Sequence, residues 1–309
     1  MKKSNLFWKY SLETMLKNLQ YGNIEVIYPD KKSSFFRGKF DGPNVSVSFH
    51  KYGSIKKIIL GGTLAFCDEY IKGNITSNNI EKLIEIGSKN NSGINTEGSS
   101  IFINFFKNLL NRLTHFLNFN SYSGARKNIY KHYDLGNEFY SLWLDKSLTY
   151  SSAIFDKKLT LNQGQYNKYE KLSKLINIKD GDKILEIGCG WGGFAEFISK
   201  RFDIQLTSIT ISKKQFDFAR KRINSAGLND KVSIKLMDYR DLDGKFDKII
   251  SIEMFEAVGE YYWKVFFQKI NSLLKPSGIA GLQIITIKNN FFDAYKNRPD
   301  FIQKYIFPG

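Results

Sequence analysis

The sequence predicts an α/β protein built on a doubly wound parallel sheet, with a smaller α+β domain before it. Strand-like and helix-like segments alternate from about residue 166 onward, which is the order of repeating βα units. A glycine-rich loop follows the first of these strands, as it does at ligand sites of such sheets. The 309 residues suffice for two domains of ~150 residues each. We expect an N-terminal domain at 1–98, a linker with cap helices at 99–165, and the main domain at 166–309.

The first domain contains short extended runs bounded by turn residues. Residues 23–28 and 45–49 are rich in β-branched and aromatic side chains and are separated by Pro, Gly and Asp, which predicts two strands. Residues 81–86 predict a short helix. The composition of 88–100, rich in Ser, Asn and Gly, predicts a linker.

A basic helical segment follows the linker. Apolar residues recur at three- and four-residue steps over 101–119, which predicts an amphipathic helix. Residues 101–133 contain Lys and Arg but no Asp or Glu. Such a helix suits a membrane surface, and it equally suits packing on the core or on a second subunit. Both interpretations stay open at this point.

The main domain alternates strands and helices at the spacing of βα units. Five strands are expected, and parallel pairing requires helices on both faces of the sheet. The predicted strands are 183–187, 204–211, 232–237, 246–252 and 278–287, and the predicted helices are 192–202, 213–226 and 261–274.

Composition and charge restrict the class of protein. A net charge of +16 favours an anionic partner such as nucleic acid, an acidic membrane surface or a phosphorylated ligand. No nucleic-acid recognition motif accompanies the charge. Two cysteines exclude a disulfide scaffold and fit a reducing compartment, so we expect a cytoplasmic protein. No uncharged apolar run reaches the ~18 residues of a membrane-spanning helix, and no export signal or metal site is predicted.

The glycine loop can be interpreted in two ways. As G-x-G-x-x-G, with Gly188, Gly190 and Gly193, it would hold a dinucleotide, but that site also needs an acidic residue about twenty positions on. Residues 207–212 contain none. As E-x-G-x-G-x-G, starting at Glu186, it is typical of the first strand of an S-adenosylmethionine-dependent methyltransferase.

Six segments in order carry a more specific resemblance. Together they closely resemble the cyclopropane-fatty-acyl-phospholipid synthase family, including the mycolic acid cyclopropane synthases, over about residue 120 to the end. The resemblance implies a Rossmann-like, class I methyltransferase fold. The segments are 130–155 (YKHYDLGNEFYSLWLDKSLTYSSAIF), 183–193 (KILEIGCGWGG), 210–215 (TISKKQ), 238–242 (DYRDL), 254–259 (MFEAVG) and 301–308 (FIQKYIFP).

The family resemblance implies S-adenosylmethionine as cofactor and transfer of its methyl group to the cis double bond of phospholipid acyl chains. Because both the sulfonium and the carbocation are cationic, aromatic faces are expected around the site; the aromatic segment that ends at Tyr150 is a candidate wall. Cys189 is interpreted as a small loop residue. The residues expected to bind the cofactor are Tyr150, Ser151, Glu186, Gly188, Cys189, Gly190, Gly192, Thr210, Ser212, Gln215, Asp238, Tyr239, Arg240 and Ile252.

Glu256 is the leading catalytic candidate, because it follows the fourth strand of the sheet, next to the switch point where ligands bind. The resemblance also implies a bicarbonate ion as base, held by Glu256, Gln283 and the main chains of Ser152 and Ile285. Ser152 and Gln283 replace a Cys and a His of well-known cyclopropane synthases. These changes leave open a cyclopropane, a methyl-branched or a methylene product.

The net charge of +16 and the basic residues of 101–133 predict docking on an anionic membrane surface, reached peripherally from the inner face. The resemblance implies a homodimer. A non-catalytic lipid-binding protein with the same fold is the alternative from another class. Because the chain stops inside the last motif, we expect it to be C-terminally truncated.

Overall fold

The structure, a computed structural model, describes residues 3–90, 136–156, 158–297 and 301–306. The chain divides into two units, Met1–Asn111 and Arg112–Gly309, and each is treated by itself below. The predicted domain boundary at residues 98 and 99 and the predicted basic helix at 101–119 lie outside the described residues. Within them, no helix has both the length and the apolar character needed to cross a membrane.

The first unit is a four-stranded sheet with helices packed on its buried face. Side chains along its first strand alternate between half-buried and buried, as expected when one face of a sheet covers a core. The strand order is β2-β1-β3-β4, with β1 and β3 parallel and the other pairs antiparallel. Its elements are α1 (Lys3–Leu16), β1 (Tyr21–Ile27), β2 (Ser33–Arg37), β3 (Phe40–Phe49), α2 (Tyr52–Ile71), β4 (Ile75–Ser77) and α3 (Ile80–Asn90).

The second unit contains a parallel sheet of five strands, which confirms the predicted fold class. The strand order is β7-β6-β5-β8-β9, and every neighbouring pair is parallel. Its helices and strands are α4 (Gly136–Ser141), α5 (Leu161–Leu175), β5 (Lys183–Ile187), α6 (Gly193–Ser199), β6 (Gln205–Thr210), α7 (Lys213–Ser225), β7 (Val232–Leu236), β8 (Phe246–Ile252), α8 (Trp263–Leu273), β9 (Leu274–Gln283) and α9 (Asn289–Asn297).

The central strand β5 fixes the position of the site. Its residues after Lys183 are all buried, because both faces of a parallel sheet are covered. The chain leaves β5 for β6 and β7 on one side and returns through β8 and β9 on the other. The reversal between β5 and β8 creates a crevice at the carboxyl ends of the strands, where ligands bind in open α/β sheets.

The last strand begins earlier than the sequence predicts. β9 starts at Leu274 rather than at residue 278, although Pro276 suggests a strand break. The pairing with β8 shifts register between Phe246–Leu274 and Lys248–Ile279, so the extra residues around Pro276 form a bulge. The β8–β9 ladder therefore continues to Ile252 and Gln283, at the edge of the crevice.

Candidate active site

A cavity opens at the carboxyl ends of β5, β6 and β8. Twelve of the fourteen residues predicted to bind a cofactor line this cavity, although they are spread over about a hundred positions of the chain. The twelve are Tyr150, Ser151, Glu186, Gly188, Cys189, Gly190, Thr210, Gln215, Asp238, Tyr239, Arg240 and Ile252.

The other two predicted residues, Gly192 and Ser212, lie outside the lining and shape the helices that border it. Gly192 precedes α6 with φ +79°, and a Cβ there would lie 3.1 Å from Cβ of Ala219 on α7. The Ser212 hydroxyl caps α7 by accepting the backbone N–H of Gln215 at 3.4 Å. Each residue therefore acts on the cavity through the start of a helix.

The glycine loop needs left-handed backbone at two positions that face the cavity. Gly188 has φ +87° and Gly190 has φ +50°, a region that residues with a Cβ rarely adopt. The backbone N–H groups of Gly188 and Cys189 both donate to the Ile209 carbonyl, at 3.0 and 2.9 Å, which fixes the turn against β6. Burial raises the pKa of the Cys189 thiol, so this cysteine is not an activated nucleophile.

Glu186 places a buried carboxyl group in the cavity wall. Glu186 is 3% exposed, and the Ser208 hydroxyl donates to its Oε2 at 2.7 Å. Burial raises the pKa of Glu186 to about 7, against the smaller, opposite effect of the Ser208 hydrogen bond. A cation bound in the cavity would stabilise the ionised form of this group.

Asp238 and Arg240 form a buried ion pair at another wall of the cavity. Arg240 donates from Nε to Oδ1 at 2.9 Å and from Nη2 to Oδ2 at 2.7 Å, and both side chains are nearly inaccessible. The guanidinium also lies 5.4 Å from the centre of the Tyr262 ring. The carboxylate of Asp238 thus shapes this loop through Arg240, and its predicted role in cofactor binding stays a prediction.

The loop before α5 carries Tyr150 and is organised by a buried aspartate. Asp145 accepts hydrogen bonds from the backbone N–H groups of Ser147 and Thr149, at 3.0 and 3.1 Å, and from the Asn162 side chain at 2.8 Å. Although burial opposes ionisation, these hydrogen bonds hold the pKa of Asp145 below its usual value. The loop that presents Tyr150 to the cavity is therefore tied down without regular secondary structure.

The aromatic wall differs in part from the one that the sequence predicts. Tyr150 lines the cavity, whereas Tyr140 and Trp143 pack behind it, with ring centres 5.6 and 5.7 Å from that of Tyr150. The other aromatic residues of the lining are Tyr169, Trp191, Phe194, Tyr239 and Tyr262. Tyr169 and Phe194 lie on the helices α5 and α6. In a helix, the periodicity of apolar residues indicates packing and does not identify a ligand-binding ring.

Lys168 is a buried cation beside the cavity that was not predicted from the sequence. It is 1% exposed, and its ammonium donates to the Ser151 hydroxyl at 2.6 Å. Burial lowers the pKa of Lys168 to about 8, while the charges of Glu253 and Asp145 favour its protonated form. No local pattern distinguishes this lysine from the exposed lysines of the same helix α5.

The four residues predicted to be catalytic lie outside the cavity lining and meet at its mouth around two carboxylates. The backbone N–H and hydroxyl of Ser152 donate to Oε1 of Glu253 at 3.1 and 2.7 Å, and Gln283 Nε2 donates to the same oxygen at 2.7 Å. The backbone N–H of Ile285 donates to Oε1 of Glu256. Glu253, which was not among the predicted site residues, lines the cavity.

The charge of Glu253 acts on Glu256. Partial burial raises the pKa of Glu256, and the charge of Glu253 raises it further, against the hydrogen bond from Ile285. Glu253 directly follows β8, so the rule that selected Glu256 from its place after a strand could also have selected Glu253.

Comparisons with known proteins agree with this geometry. Residues 120–309 match the family described as mycolic acid cyclopropane synthetase. A probable fatty acid methyltransferase of Pseudomonas putida is 39% identical over 181 residues, covering 57% of this chain and 46% of that protein. Cyclopropane-fatty-acyl-phospholipid synthase of Escherichia coli K12 is 38% identical over 178 residues, covering 58% of this chain and 44% of that enzyme. The chain thus spans about half the length of the curated relatives it matches.

A solved structure supports the same assignment. Mycolic acid cyclopropane synthase CmaA1, crystallised with SAH and CTAB, is 26% identical, covers 59% of this chain and 68% of that chain, and aligns with a TM-score of 0.53. The parallel sheet, the glycine loop after β5 and the match over 120–309 lead to one conclusion: this chain belongs to the mycolic acid cyclopropane synthetase family.

Proposed function

We propose that the protein transfers a methyl group from S-adenosylmethionine to the cis double bond of an unsaturated acyl chain in a membrane phospholipid and closes a cyclopropane ring. The observation that carries the proposal is the cavity at the switch point, which combines a glycine loop, aromatic faces and two carboxylates at its mouth. Neither a nucleotide loop alone nor a lipid-binding groove alone needs that combination.

The residues present fit this cofactor. The space beside Gly190 contains no other atom within 4 Å of a Cβ position, so a ligand can approach the loop backbone closely. Glu186 supplies a buried carboxylate for a cation. When bound, the cofactor supplies a methyl group on a positively charged sulfur. The faces of Tyr150 and the other aromatic residues of the lining would stabilise nearby positive charge by about 0.5–2 kcal/mol each.

The reaction also requires that water be kept from the carbocation on the acyl chain. The buried aromatic side chains of the cavity wall serve that purpose. The net charge of +16 supports docking on anionic headgroups, at about 1 kcal/mol per basic residue near the surface. A phospholipid on the inner face of a membrane is accordingly the substrate that we favour over a free fatty acid.

The test is incubation of the purified protein with methyl-labelled cofactor and vesicles of cis-unsaturated anionic phospholipid. We expect the label in the released acyl chains by mass spectrometry, as a ring that survives mild hydrogenation. Vesicles of the saturated phospholipid are the matched control and should take up no label. A labelled methylene or methyl branch would favour the alternative product, and cofactor binding without label in any lipid would favour a non-catalytic lipid-binding protein.

The pH dependence of cofactor affinity tests the role of Glu186. Its pKa of about 7 lies above that of an ordinary carboxyl group, so part of the population is protonated at neutral pH. Because the cationic cofactor prefers the carboxylate, affinity should rise with pH through about 7, by up to about 10-fold between one pH unit below and one above. Calorimetric titration measures this. In Glu186→Gln the rise should disappear, apart from the ligand's own ionisation; an unchanged profile would exclude the assignment.

A further inference from the structure

Glu253 is the centre of the polar group at the mouth of the cavity. Its Oε1 accepts three hydrogen bonds, two from Ser152 and one from Gln283. Gln283 Nε2 also lies 3.0 Å from the Ser152 hydroxyl, so the donors hold one another in place. Among the residues that the structure describes, none donates to Oε2 of Glu253. This oxygen is therefore available to accept a proton.

The backbone of Glu253 adopts a conformation that favours glycine. Its φ is +47°, a left-handed value that costs a residue with a Cβ about 1–2 kcal/mol. Its N–H donates to the Gln283 carbonyl at 2.9 Å, which anchors the strained residue to the end of β9. Strain of this kind persists where neighbouring contacts over-determine it, often at functional sites. A glycine would fit this position with less strain.

A bicarbonate ion does not fit the residues that the family resemblance assigns to it. The N–H of Ser152 and the amide of Gln283 already donate to Glu253, and the N–H of Ile285 donates to Glu256. An added anion would find these donors occupied and would lie beside two carboxylates, which would repel it. Oε1 of Glu253 instead accepts two of the hydrogen bonds that would hold the anion.

We propose that Glu253 is the base of the reaction and replaces an exchangeable bicarbonate ion. The inference rests on the proposed function. The added methyl group forms its bond to one alkene carbon as its bond to sulfur breaks, with the electron pair left on sulfur, and the other alkene carbon becomes cationic. Oε2 of Glu253 takes a proton from that methyl group. The C–H electron pair closes the ring onto the cationic carbon, and the carboxyl group returns the proton to solvent.

The surroundings of Glu253 suit this role. The charge of Glu253 acts on the Lys168 ammonium, which donates to Ser151 next to Ser152. This cation offsets one of the two negative charges at the cavity mouth. The three hydrogen bonds to Oε1 fix the carboxylate, and a fixed base needs little reorganisation during proton transfer.

Two substitutions at one position separate the base from the shape of the site. Glu253→Gly removes the carboxylate and relaxes the backbone, so it should fold at least as well as the parent and release the donors of Ser152 and Gln283. Glu253→Gln keeps the volume and still fills the anion position, but it cannot take a proton. Glu260→Gly, at an exposed position outside the cavity lining, is the control for loss of a glutamate.

We expect turnover of the parent to change less than about 2-fold when bicarbonate is added to bicarbonate-free buffer. Both Glu253 variants should form ring product at least about 100-fold more slowly. Added bicarbonate should restore Glu253→Gly by about 10-fold or more but leave Glu253→Gln inactive. Bicarbonate stimulation of the parent, or full activity of either variant without it, would overturn the proposal.

A binding measurement distinguishes failure of this inference from failure of the proposed function. Carbon-13 NMR of labelled bicarbonate with SAH present should show binding to Glu253→Gly and none to the parent or to Glu260→Gly. Bicarbonate binding by the parent overturns the replacement whether or not lipid is methylated. If the parent binds cofactor yet methylates no lipid, the proposed function fails and the base assignment falls with it, while the NMR result still decides what occupies the anion position.

Discussion

A Gly190→Asp variant is expected to bind S-adenosylmethionine at least about 100-fold more weakly than the parent, a loss of about 2.7 kcal/mol. Gly190 lines the cavity in a left-handed conformation, with open space where a side chain would begin. An aspartate would fill the space that the proposed cofactor needs against the loop backbone. Calorimetric titration with the cofactor or with SAH measures the change directly.

Gly181 provides a matched control for the backbone. It also has a positive φ, +84°, and no atom within 4 Å of a Cβ position, but it precedes β5 and lies outside the cavity lining. Like Gly190→Asp, Gly181→Asp should therefore lose ~1–2 kcal/mol of folding stability. Unlike Gly190→Asp, it should keep its cofactor affinity. If the two variants bind the cofactor equally well, the glycine loop does not form the binding site.

A Glu256→Gln variant should lose about 100-fold or more in turnover while its cofactor affinity changes less than about 2-fold. Glutamine keeps the size of the side chain, and its amide oxygen can still accept the Ile285 N–H that Glu256 accepts. Only the negative charge is removed. A fixed charge near a cationic transition state contributes to rate more than to ground-state binding.

Single-turnover kinetics with labelled cofactor and calorimetry separate these two quantities. Glu260→Gln, at an exposed position a few residues further along, removes the same charge and should leave both quantities unchanged. Equal turnover of Glu256→Gln and the parent would remove Glu256 from the reaction. Equal losses in turnover and in affinity would instead assign it to cofactor binding.

Much of the second unit follows from local sequence. β5 and β8 have the predicted bounds, 183–187 and 246–252, because short segments rich in Ile and Leu alternate with helical segments at the spacing of βα units. The start of β9 could not be predicted from local sequence, because Pro276 lies in a bulge that only the pairing with β8 reveals. In the first unit, the helix Tyr52–Ile71 contains paired glycines, and Gly62 is non-helical within it. Such an element gives a weak helical pattern.

The part of the site that lies in sequence motifs could be predicted. The glycine loop and the residues that follow β6, β7 and β8 could be placed because carboxyl ends of parallel strands meet at one edge. Glu253 was not predicted because its contacts with Ser152 and Gln283 join distant parts of the chain. Lys168 escaped because only tertiary packing buries it. Its contact with Ser151 joins positions 17 residues apart, which no spacing rule anticipates.

The hydrogen bonds of Asp145 have a consequence for ligand entry. Backbone amides at Ser147 and Thr149 are held in a segment without helix or strand, and Arg222 also donates to the carbonyl of Lys146 at 3.0 Å. The conformational entropy of this segment is therefore lost when the protein folds and not when a ligand binds. The wall that bears Tyr150 is preorganised, and its amide protons should exchange with deuterium as slowly as those of a buried helix.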